Sequence, residues 1–228
     1  MKSHFVITKN VKKFHSGIDH INHKLKGVER MLLVTGEPGL GKTDAAIHYC
    51  AQNGAVMIRT LELMKGPWLL RSLVKELGAE PMKRISDIFD QIVALQRERE
   101  KPRTIILDEV DRFADKTEIL ETIRDVHDVC HCPIVFIGEE MADKKLMRYR
   151  RLYRRFVEVV KFDKLDKDDV KSFVTEVSDV RVEQDAIDRI ASESGGKISD
   201  IITTIHRAEA FGLRNSVKSV GVKELWKS

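Results

Sequence analysis

Eight consecutive residues carry the clearest chemistry in the chain. They read Gly-Glu-Pro-Gly-Leu-Gly-Lys-Thr and fit the pattern G-x-x-x-x-G-K-[ST] throughout. The glycines let such a loop wrap so that its backbone N–H groups point at phosphates, and the start of the next helix adds its positive dipole end. Lys42 is placed to reach the β- and γ-phosphates, and the Thr43 hydroxyl to ligate Mg²⁺. The pattern therefore predicts ATP and Mg²⁺ as ligands. The predicted nucleotide contacts are Gly36, Glu37, Pro38, Gly39, Leu40, Gly41, Lys42 and Thr43.

A second group of residues complements this loop. Asp108 and Glu109 directly follow the apolar run 105–107. An aspartate at the carboxyl end of a buried strand can hold Mg²⁺, and the adjacent glutamate is placed to polarise the attacking water. By itself such a pair usually marks a helix start, but here it follows a phosphate loop. The sequence thus predicts hydrolysis, with Lys42 and Glu109 as catalytic residues and Thr43 and Asp108 as metal ligands.

The elements that must position these residues alternate between strands and helices. Strands separated by helices of this size indicate a parallel sheet, and the strand signals stop after Lys164. We therefore predict an α/β P-loop domain at residues 1–164, with a five-stranded mostly parallel sheet and a short N-terminal leader. A small all-helical lid follows at 165–228. The predicted strands are 31–35, 55–59, 104–107, 133–137 and 157–162. The predicted helices are 42–52, 68–77, 85–97, 117–129, a basic helix after the fourth strand, 166–177, 183–194, 199–211 and 222–226.

Composition excludes several classes of protein. Hydrophobic residues make up 42% of the 228 residues and charged residues 33%, as in a folded globular chain. No apolar run approaches the roughly 18–20 residues of a membrane span, and the N-terminus lacks a secretory signal. Three cysteines are too few for a disulfide framework, which indicates reduced thiols in the cytoplasm. The net charge of +4 permits a nucleic-acid partner without arguing for one.

Several segments resemble the phage Mu B and TnsC family of AAA+ transposition ATPases in order and spacing. They are residues 36–49, 68–78, 104–113 and 151–173. The resemblance implies an AAA+ fold, ATP hydrolysis, and ATP-dependent assembly into helical filaments on double-stranded DNA without sequence specificity. It also implies a homo-oligomer that acts with a transposase in a bacterial host cell.

The same resemblance assigns a role within a basic segment. Seven of the twelve residues 144–155 are Lys or Arg, and for most of them a solvated face is the simpler interpretation. In the family, an arginine just before the last strand enters the neighbour's ATP site, where its charge is worth roughly 10³–10⁵ in rate. We assign that role to Arg155, with Arg154 and Arg151 as alternatives. Activity would then require assembly.

Three features of the sequence depart from the family pattern. The phage Mu protein carries an N-terminal helix-turn-helix domain, whereas only a short leader is expected here. The sensor position after the fourth strand is Gly138-Glu139, an acid where the family has a neutral polar residue. The sensor arginine of the lid is missing, and Lys197 is the nearest cation that could contact the γ-phosphate. Because lysine cannot make the bidentate contact of arginine, slow turnover is expected.

DNA contacts are expected in two loops after the second strand. These loops carry Lys65, Lys83 and Arg84, although loop lysines are often only solvated. Contacts of this kind bind phosphates, so they are indifferent to base sequence and sensitive to salt.

Two other functions fit the same motifs. One is an ATP-dependent DNA-loading or initiator-like switch that rarely hydrolyses ATP. The other is a secretion-associated AAA+ ATPase that acts on protein. A membrane span would favour the second, and the sequence offers none.

Overall fold

The computed structural model describes residues 5–24 and 28–226, and the chain divides into two compact units. The larger unit contains residues 13–36 and 42–161. The smaller unit contains the described parts of residues 1–12 and 162–228, together with 37–41.

A five-stranded sheet forms the centre of the larger unit. All its pairings are parallel, in the order β2-β3-β4-β1-β5. Every residue of β1, β3 and β4 is buried, as expected for parallel strands covered on both faces. The predicted five-stranded parallel sheet is confirmed. The strands are β1 (Met31–Thr35), β2 (Val56–Arg59), β3 (Ile105–Asp108), β4 (Ile134–Ile137) and β5 (Phe156–Lys161).

Helices accompany this sheet in the larger unit. They are α1 (Lys9–Asn22, whose first residues belong to the smaller unit), α2 (Lys42–Asn53), α3 (Gly66–Glu76), α4 (Ile85–Arg97), α5 (Thr117–Cys130), α6 (Glu140–Leu146) and α7 (Arg150–Tyr153). Helix α1 was predicted only as a leader. Its fully buried side chains Phe14, Ile18 and Ile21 recur at helical spacing, which is the signal that could have identified it.

The basic segment predicted as one helix is two short helices, α6 and α7. The single-helix prediction is wrong because tertiary contacts bend the chain at Tyr149, whose backbone is not helical (φ −98°, ψ 71°). The Tyr149 hydroxyl donates to the Asp115 carbonyl at 2.8 Å, and the Tyr153 hydroxyl donates to Asp143 at 2.9 Å. These bonds hold the two aromatic side chains against the larger unit.

The smaller unit is mainly helical, as predicted, and has its own core. Helix α8 begins with the expected acidic cap, because the Asp166 carboxylate accepts from the Asp169 N–H at 2.9 Å and Asp169 bonds the Asp166 N–H in return. A two-stranded parallel sheet was not predicted, since strands of two residues leave no periodic pattern. The elements are α8 (Lys167–Val177), β6 (Arg181–Val182), α9 (Gln184–Ser194), α10 (Ile198–Asn215), β7 (Ser219–Val220) and α11 (Val222–Leu225).

Candidate nucleotide site

The phosphate loop connects the end of β1 to the start of α2. Gly39 and Gly41 have φ values of +81° and +82°, a left-handed conformation that glycine adopts without a Cβ clash. The Lys42 ammonium group donates to the Gly36 carbonyl at 2.6 Å, so the lysine side chain folds back along the loop. The strand, loop and helix stand in the order that a phosphate-binding loop requires.

Lys42 is partly buried among acidic side chains. Burial lowers the pKa of this ammonium group, whereas the nearby carboxylates raise it, and the net pKa is below its usual value. The loss of hydration leaves a cation with a stronger field toward an incoming anion than a fully solvated lysine has. The carboxylates that act on it are Glu139, Asp108, Asp111 and Glu140.

The predicted metal ligands meet directly. The Thr43 hydroxyl donates to Asp108 Oδ2 at 2.8 Å, and the Glu109 N–H donates to Asp108 Oδ1 at 2.9 Å. Burial raises the pKa of Asp108, although these two hydrogen bonds lower it. A hydroxyl and a buried carboxylate, both oxygen donors, fit the ligand preference of Mg²⁺, and a nearby cation would favour the charged form of Asp108.

Glu109, the predicted water-polarising residue, is held by two arginines. The Arg59 Nε donates to Glu109 Oε1 at 2.8 Å, and the Arg112 guanidinium hydrogen-bonds the other carboxylate oxygen. Burial raises the pKa of Glu109, but the bonds from Arg59 and Arg112 outweigh it, so the pKa lies below its usual value. A carboxylate whose charge is compensated by two guanidinium groups has a lower pKa and is therefore a weaker base toward water.

Sequence reasoning missed both arginines. Arg59 ends β2 in register with Asp108 at the end of β3, and Arg112 lies three residues after Glu109. The signal that could have identified Arg59 is the pairing of β2 with β3, which places Arg59 opposite Asp108.

The backbone around Glu109 is also fixed. Glu109 adopts a left-handed conformation (φ 59°, ψ 42°), which is uncommon for a residue with a side chain. The fully buried Thr60 hydroxyl lies 2.8 Å from the Asp108 carbonyl and 2.7 Å from the Glu109 carbonyl. These contacts of Thr60 hold the turn that carries Asp108 and Glu109.

The sensor-like pair Gly138-Glu139 follows β4 at the same edge of the sheet. A Cβ on Gly138 would lie 2.8 Å from both Ala142 Cβ and Asp111 Oδ2, so only glycine fits without displacement. The Glu139 N–H donates to Asp111 Oδ2 at 2.7 Å. The charge of Glu139 is the largest of the carboxylate contributions that raise the pKa of Lys42.

In the smaller unit, Lys197 lies beside the middle of the phosphate loop. Its ammonium group is 3.4 Å from Glu37 Oε2, and Lys164 is 2.7 Å from Glu37 Oε1. The Ser199 N–H donates to the Gly39 carbonyl at 3.2 Å. Lys197 as a γ-phosphate contact stays a prediction, with Glu37 as its present partner.

Arg155 makes a two-point contact with Asp128. Its Nε donates to Asp128 Oδ1 at 2.8 Å and its terminal nitrogen to Oδ2 at 2.5 Å, while Glu29 is 3.9 Å away. Only 20% of the Arg155 side chain is exposed, whereas Arg151 and Arg154 are exposed. To act in a neighbour's site, Arg155 would have to exchange Asp128 for a phosphate.

The predicted DNA contacts lie around α3. Lys65 is the residue directly before this helix, and Arg84 holds the same position before α4. The Arg71 guanidinium, on α3, donates to the carbonyl of Lys83 at 2.8 Å. The structure thus brings the loop of Lys83 and Arg84 to the helix that begins after Lys65, and all three cationic side chains are exposed.

The sheet order, the phosphate loop and the acidic pair at the end of β3 define a P-loop protein of the AAA+ class. The AAA domain family matches residues 25–146, which are 122 of the 228 residues, and the chain belongs to that family.

Two named proteins are similar in sequence to part of this chain. A potential ATP-binding protein of Staphylococcus aureus is 35% identical over 97 residues, which cover 42% of this chain and 31% of that protein. The ATP-dependent target DNA activator B of Escherichia phage Mu is 28% identical over 153 residues, covering 63% of this chain and 48% of that protein. The predicted resemblance to the phage Mu B family is confirmed. The matched segments span less than half the length of these relatives.

Solved structures confirm the fold. The Aeropyrum pernix Orc1 protein, solved in complex with DNA, is similar with a TM-score of 0.71 at 11% identity, covering 97% of this chain and 64% of that chain. At this identity the likeness concerns the fold alone. No helix in the described part of the chain combines the length and apolar character needed to cross a membrane.

Proposed function

We propose that this chain is an ATP-dependent, DNA-binding AAA+ ATPase that oligomerises on double-stranded DNA without sequence specificity and delivers that DNA to a transposase. The observation that carries the proposal is the meeting of Thr43 and Asp108 beside Lys42, with Glu109 next in the chain. The 28% identity to the phage Mu activator supports the DNA and transposase parts.

Each residue of this site has a chemical task. Lys42 and the N–H groups of the phosphate loop bind the triphosphate. Thr43 and Asp108 would hold Mg²⁺, which neutralises charge on the phosphates when bound. Glu109 orients and polarises the attacking water, and this requires release from Arg59 and Arg112. Slow turnover by the isolated chain, stimulated by DNA, assembly or a partner, follows from that restraint.

Assembly completes the proposed site. Arg155 of one subunit would stabilise the phosphate charge in its neighbour, as an arginine supplied by another molecule does in related chemistry. Lys197 would add a point charge at the γ-phosphate in exchange for Glu37.

DNA contact is proposed for Lys65, Lys83 and Arg84. Each subunit would supply a few phosphate contacts, and assembly would link them so that effective concentration raises the affinity.

The test is fluorescence anisotropy on two unrelated duplexes over a salt series, with and without ATP. We expect ATP-dependent binding that is equal for both duplexes and weakens steeply with salt. Alanine at Lys65, Lys83 and Arg84 should weaken both complexes alike and flatten the salt slope by about three, while nucleotide binding stays unchanged. Tight binding without ATP, or a strong preference for one duplex, would contradict the proposal.

One observation favours a second candidate, an initiator-like switch that binds ATP and DNA but rarely hydrolyses. That observation is the pair of arginines on Glu109. Hydrolysis measured with saturating DNA separates the two, because the switch would stay slow whereas the transposition ATPase would accelerate.

A further inference from the structure

The basic segment 144–155 carries charge that the rest of the larger unit does not neutralise. Two of its seven cations are used internally: the Lys145 ammonium group lies 3.4 Å from the Asp111 carbonyl, and Arg155 is paired with Asp128. The other five are exposed, and none forms an ion pair with a carboxylate of residues 5–24 or 28–226. They are Lys144, Arg148, Arg150, Arg151 and Arg154.

The carboxylates that directly precede this segment have other partners. Glu140 pairs with Lys161 at 2.9 Å, and Asp143 accepts the Tyr153 hydroxyl. A surface whose nearby acids are engaged elsewhere keeps a positive potential, which attracts a polyanion.

The fold points these cations away from the core. Leu146 and Leu152 are buried at 0% and 2% exposure, and Tyr149 and Tyr153 are partly buried with bonded hydroxyls. The tyrosines therefore anchor the segment and do not form a platform on which bases stack. Apart from the half-exposed Met147, the exposed side chains of residues 144–154 are charged. Charged side chains bind phosphates without reading the bases.

The spread of these cations matches a polymer better than a single ligand. Lys144 lies in the last turn of α6, and Arg150 and Arg151 lie on α7, so the charges are distributed over two helices rather than gathered at one point. Phosphates along one DNA strand advance about 3.4 Å each, so a duplex offers a row of anions to such a set of cations. Four of the five side chains are arginines, whose planar forks suit phosphate oxygens.

We propose that residues 144–154 form a second phosphate-backbone surface for duplex DNA, separate from the loops of Lys65, Lys83 and Arg84. The inference rests on the proposed function, which supplies DNA as the partner. It adds to that function a set of contacts on the segment that leads to Arg155.

The test replaces Lys144, Arg148 and Arg150 with Gln and leaves the intersubunit candidates Arg151, Arg154 and Arg155 intact. The matched control replaces three exposed cations of the smaller unit with Gln and changes the net charge equally. These control positions are Arg207, Arg214 and Lys218. Anisotropy is measured with ATP on two unrelated duplexes over a salt series.

We expect K144Q/R148Q/R150Q to bind both duplexes about tenfold or more weakly near physiological salt and to flatten the salt slope by about three. The control should bind like wild type. Hydrolysis without DNA should be unchanged in both variants, which also verifies that they are folded.

Other results would overturn the inference. Unchanged affinity of the triple variant, or equal weakening of the control, would do so directly. Retained DNA affinity with lost binding to poly-glutamate would reassign the surface to an acidic protein. If the wild-type chain binds no duplex, the proposed function itself fails, and that result is seen before any substitution is made.

Discussion

At the scale of single residues, the least expected contact is the one that restrains Glu109. The residue that should activate water has both carboxylate oxygens bound to guanidinium groups. Arg59 and Arg112 are themselves exposed, with 66% and 44% of their side chains accessible, so an anion such as DNA phosphate can reach them. In the proposed ATPase, this contact would give a partner a route to increase hydrolysis.

Replacing Arg59 with Ala should raise hydrolysis in the absence of DNA by about three- to tenfold, a small part of the roughly 10²–10⁴ that a positioned base supplies. The reason is that Glu109 regains basicity when one of its two cationic partners is removed. Steady-state phosphate release measures the effect, with the exposed Arg97→Ala on α4 as the control. The gain should disappear in R59A/E109Q, and a fall in turnover for R59A would contradict the restraint.

Substitutions at Lys42 and at Glu109 should affect nucleotide binding and hydrolysis separately. Lys42→Ala is expected to abolish nucleotide binding, because the β- and γ-phosphates lose their cation. Glu109→Gln should keep binding and lose turnover by about 10²-fold or more, since only the base is removed. Titration with a fluorescent ATP analogue and a hydrolysis assay measure the two effects. Wild-type affinity in K42A, or normal turnover in E109Q, would contradict the assignments.

At the scale of elements, packing between neighbouring elements buries His127 and partly buries His15. His15 of α1 stacks on His48 of α2 with ring centroids 5.9 Å apart, and His127 of α5 accepts the Arg30 N–H at 3.2 Å. Burial lowers the pKa of His15, with a further lowering from His48, and burial also lowers the pKa of His127 despite its bond to Asp128. Both imidazoles therefore favour the neutral form more than a free histidine does.

These shifts predict a loss of stability in acid. Because both folded-state pKa values lie below that of an unfolded histidine, about 6.5, the unfolded chain takes up protons first as the pH falls. The free energy of unfolding should be highest above pH 6.5 and fall below it, by up to about 1.4 kcal/mol per pH unit for the buried His127. The contribution of the partly exposed His15 is smaller, because water screens its charge. Urea denaturation from pH 5 to 8 measures it.

His127→Gln should flatten this dependence, because the amide oxygen can still accept the Arg30 N–H and does not titrate. The exposed His206→Gln on α10 is the control and should leave the curve unchanged. A curve in H127Q as steep as in the wild type would show that this histidine is not responsible.

At the scale of the whole molecule, the proposed assembly depends on an arginine that already has a partner. Arg155 is the intersubunit candidate, yet it is the best-paired arginine of its segment. Its bonds to Asp128 hold the guanidinium close to the start of β5. Assembly would therefore have to compete with an existing ion pair.

Arg155→Ala should keep ATP binding but lose hydrolysis and ATP-dependent assembly. Mixing R155A subunits with K42A subunits should recover activity, because the intact Arg155 of one then serves the intact phosphate loop of the other. Phosphate release over a range of ratios, with mixed oligomers verified by cross-linking, measures the recovery. Arg154→Ala and Arg151→Ala are the matched controls, and absence of recovery at every ratio would count against Arg155.

A structural role for Arg155 is distinguished by Arg155→Lys. This variant keeps a charge beside Asp128 but cannot form the two-point contact. If the role is only structural, R155K should restore thermal stability and activity together. If Arg155 acts at a neighbour's phosphate, stability should recover while hydrolysis stays low.

The amino-acid sequence by itself determined the phosphate-loop motif and the sheet. Residues 36–43 form a local motif whose left-handed backbone positions fall on glycines, and Asp108 is recognisable as the end of an apolar run. The turn at Glu109, by contrast, is held by the distant Thr60. The strands were predictable because buried parallel strands are continuous apolar runs. The motif and the strands were therefore predictable from residues that lie close together in the sequence.

Tertiary structure alone decided which charges meet. Arg59 reaches Glu109 across 50 positions of sequence, and Arg155 reaches Asp128 across 27, because neighbouring elements bring them together. The same holds for the basic segment, where bonds from Tyr149 and Tyr153 break one predicted helix into two. Electrostatic partners depend on distances in space, and sequence periodicity does not record those distances.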